Sequence, residues 1–283
     1  MKFKGERFIP SKSGMIALQH YHRYEFALHL IDFKGKTVLD IACGEGYGAN
    51  ILAAQAKKIY GVDISGEAIE SAKRSYKNER IDFLLGNVVN IPLPDNSIDI
   101  VVSFETIEHH NMHVEMMAEI KRVLKEDGVL VISSPDKGYY EKYFPEFRNE
   151  FHVKELYKHE FESLLKKYFK KHYSFAQNNV FGSVITGEAD YSDSFNMPLH
   201  FNKTRDTKVF FEPRFIVAVA SDRKIKFNIT TSFFTYSSEN DPFIELENKN
   251  KIIENIQNSN TWKLMSILRK PLDFLRRFTK NDL

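Results

Sequence analysis

Short apolar runs alternate with amphipathic segments along the first half of the chain. The apolar runs lie at 37–42, 59–65, 81–87, 97–105 and 129–135. Runs of this length that end at glycine or polar residues predict buried strands. The segments between several of them place apolar residues at helical spacing. This alternation predicts an α/β fold in which parallel strands, joined by right-handed crossovers, form a sheet covered on both faces.

The helices of this part are predicted from the same spacing. Residues 47–58 follow the first strand as a helix, and residues 66–78 follow the second. Residues 113–128 predict a helix that ends at Gly128, a residue that commonly caps helix C-termini. A further amphipathic helix is expected at 153–168.

The pattern becomes less regular after residue 150. Residues 170–177 and 215–222 predict a sixth and a seventh strand, with a segment between them that is too long for a simple connection. We interpret that segment as an insertion that shapes a substrate pocket. The predicted organisation is a lid segment at 1–36, a catalytic domain at 37–222 with the insertion at 178–213, and a C-terminal extension at 223–283.

Composition excludes several classes of function. The 283 residues, 42% of them hydrophobic, suffice for one large α/β domain with an extension. A net charge of +2 gives no bulk attraction to nucleic acid, which we do not expect as a partner. The single cysteine, Cys43, favours a reducing compartment. Because neither a signal peptide nor an apolar run of membrane-spanning length is found, we expect a cytoplasmic protein.

A glycine-rich turn follows the first predicted strand in VLDIACGEGYG, residues 38–48. In an open parallel sheet, ligands bind beyond the carboxyl ends of the strands, where this turn lies. Gly44, Gly46 and Ala49 fit a weak dinucleotide pattern, but Asp40 and Glu45 would repel a pyrophosphate at close range. The two acids favour a cationic ligand such as S-adenosylmethionine, which carries a sulfonium and an ammonium group.

Two later strand ends suit an adenosine ligand. Asp63 closes the second strand and can accept hydrogen bonds from both ribose hydroxyls, as a nicotinamide cofactor would also require. Asn87 follows the third strand and can bond the adenine edge, with Val88 against the ring. The alternative for Asn87 is a turn-forming role.

Four blocks over residues 37–135 resemble the class I S-adenosylmethionine-dependent methyltransferases. They are VLDIACGEGYG, GVDIS, GNVVNIPLPDNSIDIVVSFETIEH and EIKRVLKEDGVLVISSP. The resemblance implies a Rossmann-like, seven-stranded, mostly parallel sheet with an antiparallel last strand, and S-adenosyl-L-methionine as cofactor. Asn87 departs from the aspartate that is more usual at its position. The residues expected to bind the cofactor are Asp40, Gly44, Glu45, Gly46, Asp63, Ile64, Asn87, Val88 and Phe104.

A narrower resemblance involves the segments on either side of these blocks. GERFIP and HYHRYEFAL before the first strand, and NEFHVKELYKHEF after the fifth, are similar to a bacterial subgroup tied to surface polysaccharide and O-antigen assembly. This resemblance implies a small-molecule or glycan acceptor. Within HYHRYEFAL, we expect a helix that either covers the cofactor or packs on the sheet edge.

The histidines of ETIEHHNMH, residues 105–113, are candidates for acid–base chemistry. His109 is the preferred general base, and His152 is a second candidate. His109 and His113 are four residues apart and would share one face of a helix, as zinc ligands can. Because a full ligand set is not visible in the sequence, we predict that the protein binds no metal.

Residues 261–283 predict a basic amphipathic helix with the only tryptophan of the chain. Such a helix suits docking to a membrane interface at the inner face or to a protein partner, and the alternative is packing on the protein itself. Pro271 would kink or divide it. The oligomeric state is left open by the sequence.

The predicted function is methyl transfer to an oxygen acceptor, preferably a sugar hydroxyl of a glycan or nucleotide sugar. A glycan-linked phosphate is an alternative acceptor, and it would need no base because it is already anionic. Two competing hypotheses are a nicotinamide-dependent oxidoreductase and a non-catalytic scaffold of a glycan-assembly complex. Glu45 and the lack of a Tyr-x-x-x-Lys motif beside the sheet argue against the first, and the intact glycine turn argues against the second.

Overall fold

The computed structural model describes residues 15–146, 148–180, 182–187, 213–228 and 231–234. The predicted basic helix at 261–283 and most of the predicted insertion therefore lie outside the described residues. The contacts divide the chain into residues 1–235 and 236–283, and only the first unit contains described residues. The domain boundaries given above stay a prediction.

One sheet of nine strands organises the described residues, in the order β3-β2-β1-β4-β5-β8-β6-β7-β9. The strands are β1 Thr37–Ile41, β2 Lys58–Asp63, β3 Ile81–Leu85, β4 Ile98–Ser103, β5 Leu124–Pro135, β6 Lys171–Val180, β7 Gly182–Gly187, β8 Phe215–Ser221 and β9 Thr231–Phe234. The helices are α1 Met15–Leu30, α2 Tyr47–Leu52, α3 Gly66–Ser75, α4 His113–Val123, α5 Lys137–Tyr143 and α6 Lys158–Tyr168, with a 3₁₀ helix at Ile107–His109.

The strand directions confirm the predicted fold class. Strands β1 to β5 pair in parallel, and β8 runs antiparallel between β5 and β6. These seven strands form the expected mixed, Rossmann-like sheet. Strands β7 and β9 extend the sheet beyond β6 as antiparallel neighbours.

The central strands are buried on both faces, which explains their continuous apolar runs. Val38 packs on one side of the sheet with Leu30 and Phe33, from α1 and the loop after it. The next residue, Leu39, packs on the other side with Met117 of α4. Successive side chains of a strand point to opposite faces, so a strand between two helical layers needs apolar residues at every position.

Four predicted helices are wrong in their bounds. Helix α3 ends at Ser75 rather than at residue 78. Helix α2 ends at Leu52 rather than at residue 58. Helix α4 ends at Val123, because Leu124 takes an extended conformation and pairs with Ile98, so Gly128 is not its cap. Helix α6 begins at Lys158 rather than at residue 153. The segment before α6 is held in another conformation, since the backbone N–H groups of residues 153 and 154 donate to the carbonyl of Glu108.

None of the described helices combines the length and apolarity that crossing a bilayer requires.

Candidate active site

A cavity of about 350 Å³ opens at the carboxyl ends of β1, β2, β3 and β4. The short loops after these strands supply most of its wall, and α1 and α2 supply the rest. Of the residues predicted to bind the cofactor, those that line the cavity are Gly44, Asp63, Ile64, Asn87, Val88 and Phe104. Asp40, Glu45 and Gly46 are not among the residues that line it.

The turn after β1 depends on Gly46, which precedes α2 with φ of 82°. A Cβ atom at this position would lie 2.6 Å from the Phe83 ring and 2.9 Å from the Cβ of Ala72. Both the backbone conformation and the close packing therefore require glycine. Gly46 shapes the turn from behind, while Gly44 forms its surface toward the cavity.

Asp63 connects the ends of β1 and β2. Its Oδ2 atom accepts a hydrogen bond from the Gly44 N–H at 2.9 Å, and its Oδ1 atom accepts one from the Ser65 N–H at 2.9 Å. Each carboxylate oxygen can accept more than one hydrogen bond, so the side chain can also receive ribose hydroxyls. Asp63 thus positions the glycine turn and faces the cavity.

Asp40 lies fully buried at the end of β1. Tyr24 of α1 donates a hydrogen bond to its Oδ1 atom at 3.0 Å, whereas its Oδ2 atom has no hydrogen-bond partner among the described residues. Burial raises the pKa of Asp40 to about 7, although the Tyr24 bond lowers it. A buried carboxylate with an unsatisfied oxygen favours a cation nearby.

The remaining predicted contacts have local partners. Glu45 accepts a hydrogen bond from the Ser71 hydroxyl of α3 at 3.5 Å. The Asn87 side-chain oxygen accepts the Val89 N–H at 3.1 Å, which is the turn-forming role considered as its alternative. Because Asn87 also lines the cavity, an adenine contact through its amide group is compatible with that turn.

The other end of the cavity is formed around Glu105, which follows β4 with φ of 49°. Ser133 of β5 receives the Glu105 N–H at 3.1 Å and donates its hydroxyl to Oε1 at 2.7 Å. A guanidinium nitrogen of the buried Arg23 lies 3.4 Å from Oε2. The left-handed backbone is a strained conformation for glutamate, and these contacts hold it there.

His109 and His113 do not lie on one face of a single helix. His109 ends the 3₁₀ helix, while His113 begins α4 and its Nε2 atom bonds the carbonyl of His110 at 2.8 Å. The ring of His109 instead meets that of His152, with 5.2 Å between the ring centroids. The predicted His109–His113 face is therefore wrong, and the two histidines proposed as bases are neighbours.

Part of the chain is similar to a known protein family. Residues 39–132 match the model of the family described as Methyltransferase domain. The matched segment begins in β1 and ends in β5, so it contains the loops that form the cavity.

Two curated relatives are named as methyltransferases. One is named "Probable S-adenosylmethionine-dependent methyltransferase" in Mycolicibacterium smegmatis and is 34% identical over 57% of this chain and 62% of its own length. Another is the phthiotriol/phenolphthiotriol dimycocerosates methyltransferase of Mycobacterium tuberculosis, 30% identical over 38% of this chain and 41% of its own. The chain thus spans less than two thirds of the length of these relatives.

A solved structure shares the fold of this protein. The YcgJ protein of Bacillus subtilis superposes with a TM-score of 0.53, covering 72% of this chain and 100% of that one, at 20% identity. This likeness extends past the matched segment and agrees with a sheet that continues to β8 and β6.

The cavity fits S-adenosylmethionine, the cofactor named for the Mycolicibacterium smegmatis relative. The carboxylates of Asp63 and Glu105 line the cavity and provide negative charge for a cationic molecule, and Asp40 lies buried behind them with one unsatisfied oxygen. Ile64, 71% exposed, and Val88 offer apolar surface to a base or ribose. These acidic and apolar side chains therefore agree with the positive charge and the apolar parts of that cofactor.

Several residues of the cavity wall were not predicted from the sequence. His20 of α1 and Tyr47 of α2 both line it, and their side chains are 3.0 Å apart at Nδ1 and Oη. Tyr24 also lines it and packs edge-on against Tyr47 and Phe104. The aromatic pattern of α1 indicated a helix near the cofactor, but it did not say which side chains face inward.

Proposed function

We propose that this protein is an S-adenosylmethionine-dependent methyltransferase that methylates an oxygen acceptor, preferably a sugar hydroxyl. The observation that carries the proposal is the buried Asp40, whose Oδ2 lacks a partner among the described residues beside a glycine turn held by Asp63. A nicotinamide cofactor would bring a pyrophosphate to this acidic turn, which the charges oppose. The cationic sulfonium cofactor is attracted by the same charges.

The reaction moves a methyl group that the sulfonium already activates. A carbon–oxygen bond forms to the acceptor as the carbon–sulfur bond breaks, and the electron pair of the broken bond stays on sulfur. The acceptor hydroxyl gives up its proton to a base. The residues of the chain align the acceptor with the methyl carbon, exclude water and assist the loss of that proton.

His109 and His152 are the residues we propose to act on the acceptor oxygen. His109 lines the cavity next to Glu105, and its ring contacts that of His152. A hydroxyl acceptor requires proton removal, whereas a phosphate acceptor does not. Paired histidines at this end of the cavity therefore support a hydroxyl.

Aromatic side chains of α5 support a sugar as the molecule that carries the hydroxyl. Tyr139, Tyr143 and Phe144 lie together after β5, and Tyr143 and Phe144 are exposed. Tyr140 lies near enough to Glu105 for that carboxylate to contribute to raising its pKa, after the larger effect of burial. Sugar rings commonly stack on such flat apolar rings, so the exposed rings of Tyr143 and Phe144 suit a glycan or nucleotide sugar.

Calorimetric titration with S-adenosylmethionine and, separately, with NADH tests the proposal. We expect micromolar binding of S-adenosylmethionine only, weakened at least ~100-fold in Asp63→Ala, because the variant loses the ribose acceptor and the support of the Gly44 turn. Asp82→Ala is the matched control, since Asp82 is exposed on β3 and pairs with Lys58. Binding of NADH alone would overturn the proposal, and binding of neither would favour the scaffold hypothesis.

Residues 261–283 are proposed to dock the enzyme to an anionic membrane surface or a protein partner. The support is the sequence, in which basic residues and apolar residues alternate at helical spacing around Trp262. Sedimentation of the full chain with anionic vesicles tests this, with Arg276→Glu/Arg277→Glu as the variant. Binding that is equal in both proteins would contradict membrane docking.

A further inference from the structure

Three side chains with metal-binding atoms converge beside the acceptor end of the cavity. They are Glu108, His109 and His152, and one ligand atom from each lies within 4.8 Å of the others. Glu108 is buried, whereas both histidines are partly exposed. The cluster thus has a closed side within the protein and an open side toward solvent.

Backbone hydrogen bonds bring the distant members of this cluster together. The N–H groups of Val153 and Lys154 donate to the Glu108 carbonyl at 2.9 and 3.0 Å. The His152 N–H donates to the Asn149 carbonyl at 3.1 Å, which closes a turn before it. These bonds fasten the loop that carries His152 to the 3₁₀ helix that carries Glu108 and His109.

Both histidines are oriented by partners on their Nδ1 atoms. His109 Nδ1 bonds the carbonyl of Phe151 at 3.0 Å, and His152 Nδ1 bonds the carboxylate of Glu155. A neutral imidazole that donates from Nδ1 carries its lone pair on Nε2, the atom that binds metals. Metal-binding histidines usually have such a carbonyl or carboxylate partner on the other ring nitrogen.

Glu108 gives an independent indication of a cation-binding site. Its side chain is 1% exposed, and its Oε2 atom has no hydrogen-bond partner among the described residues. Leaving a buried carboxyl oxygen unsatisfied is costly, and a bound cation would remove that cost.

We propose that Glu108, His109 and His152 bind one divalent transition-metal cation. Two imidazoles and one carboxylate are a ligand set used for Zn²⁺ and related metals, and they leave coordination positions open. The sequence pairing of His109 with His113 had not indicated this set, because Glu108 and His152 meet only in the fold. The prediction of no metal is replaced by this proposal.

The position of the site connects it to the chemistry, and this part rests on the proposed function. His109 belongs both to the cluster and to the cavity wall, so an acceptor oxygen could occupy an open position of the cation. A divalent cation lowers the pKa of a bound hydroxyl, which then loses its proton to solvent water more easily. The histidines would act on the acceptor through the cation rather than as free bases.

Metal titration of the full chain tests the site. The protein is treated with EDTA, desalted and titrated with Zn²⁺ and Mn²⁺ by calorimetry, with Co²⁺ absorption as a second signal. We expect one equivalent of at least one of these cations per chain, lost in Glu108→Gln and His152→Asn. Glu155→Gln should weaken binding by about 10- to 100-fold, since it removes only the carboxylate that orients His152.

His159→Asn is the matched control, because His159 is exposed on α6 and stacks on Tyr157 outside the cluster. It should bind the metal as the unchanged protein does. Thermal unfolding checks that each variant is folded, and Glu108→Gln keeps the size of the buried side chain. Absence of stoichiometric binding, or binding that survives both Glu108→Gln and His152→Asn, would overturn the inference.

Titration of the metal-free protein with S-adenosylmethionine separates this inference from the proposed function. Cofactor binding without metal binding would refute the cation site and leave the methyltransferase proposal intact. Metal binding without cofactor binding would refute the methyltransferase proposal and leave the cation site in place, with another reaction to be sought.

Discussion

The cofactor end and the acceptor end of the cavity are built in different ways. At the cofactor end, the carboxylate of Asp63 holds a turn from the neighbouring strand, and the groups involved lie in two short loops. At the acceptor end, His109 meets His152, which is carried by a separate loop before α6. The first end depends on parallel strand ends that any such sheet brings together, whereas the second depends on one particular loop conformation.

This difference means that the two ends can be perturbed separately. The cofactor end is stabilised by backbone geometry and packing, as at Gly46. Both ends contain unsatisfied or strained groups, namely the Asp40 carboxyl and the backbone of Ala42 at the cofactor end, and the Glu108 carboxyl and the backbone of Glu105 at the acceptor end. Strained and unsatisfied groups are typical of functional sites, and the stability of the surrounding fold offsets their unfavourable free energy.

His109→Ala should have the largest effect of the variants considered, on turnover. It should impair the acceptor end and leave the cofactor end intact. We expect turnover to fall by about 10²- to 10⁴-fold, because the residue acts on the acceptor proton directly or through the cation. Cofactor affinity, measured by calorimetry, should change less than about threefold. Turnover is measured as release of S-adenosylhomocysteine with a panel of hydroxylated acceptors. An equal loss of cofactor affinity would show that the two ends are not independent.

Gly46→Ala should come next and should destabilise the protein through the turn at the cofactor end. The new Cβ atom would meet Phe83 at 2.6 Å in a left-handed backbone, and we expect a loss of about 2–4 kcal/mol in the free energy of unfolding. Gly35→Ala is the control, since Gly35 has φ of 73° but no atom within 4 Å of its added Cβ. It should cost only about 1 kcal/mol of backbone strain, measured by urea unfolding. Equal losses would contradict the packing argument.

Asp40 should make cofactor binding depend on pH. Its pKa is raised by burial to about 7, so the carboxylate form that attracts a cation becomes populated as pH rises through that value. Between pH 6 and 7.5 the affinity for S-adenosylmethionine should rise by up to about tenfold, below the range where the ammonium group of the cofactor titrates. The slope should vanish in Asp40→Asn. A slope that persists in the variant would assign the effect to another group.

The raised pKa of Asp40 also makes the stability of the cofactor-free protein depend on pH, and this stability falls as pH rises. A carboxyl whose folded pKa is raised stabilises the fold below its unfolded pKa of 3.8, and this stability is lost as pH rises through about 7. The expected loss is at most on the order of 4 kcal/mol at pH 8. Asp40→Asn should therefore raise the unfolding temperature at pH 8 while it weakens cofactor binding. A lower unfolding temperature would indicate that the ionised side chain has a stabilising partner.

Glu45→Gln should have the smallest effect. Glu45 does not line the cavity, and its nearest described partner is the Ser71 hydroxyl at 3.5 Å. We expect a loss of cofactor affinity of about two- to fivefold, from the reduced negative field alone. Calorimetry at low and high salt measures it, and the difference should shrink at high salt. A loss of affinity above about 30-fold would instead indicate a direct contact between Glu45 and the cofactor.

Much of the cofactor end was predictable because its parts are local. Asp63 closes β2 and Gly44 follows β1, and both line the cavity as strand-end residues of a parallel sheet should. The strands themselves were found from apolar runs, which are continuous because both faces are buried. Helix bounds were less accurate, as at Gly128, because the pairing of Leu124 with Ile98 overrides a local cap pattern.

The sequence by itself determined the order of the strands and helices, the glycine turn and the acids at the ends of β1 and β2. These features depend on residues that are close in the chain and on the general rule that parallel strand ends meet at one edge. Only the tertiary structure decided that Asp40 is buried with an unsatisfied oxygen and that Glu108, His109 and His152 converge. Burial and convergence depend on contacts between distant segments, here the hydrogen bonds from residues 153 and 154 to Glu108, and the spacing of residues along the chain does not encode those contacts.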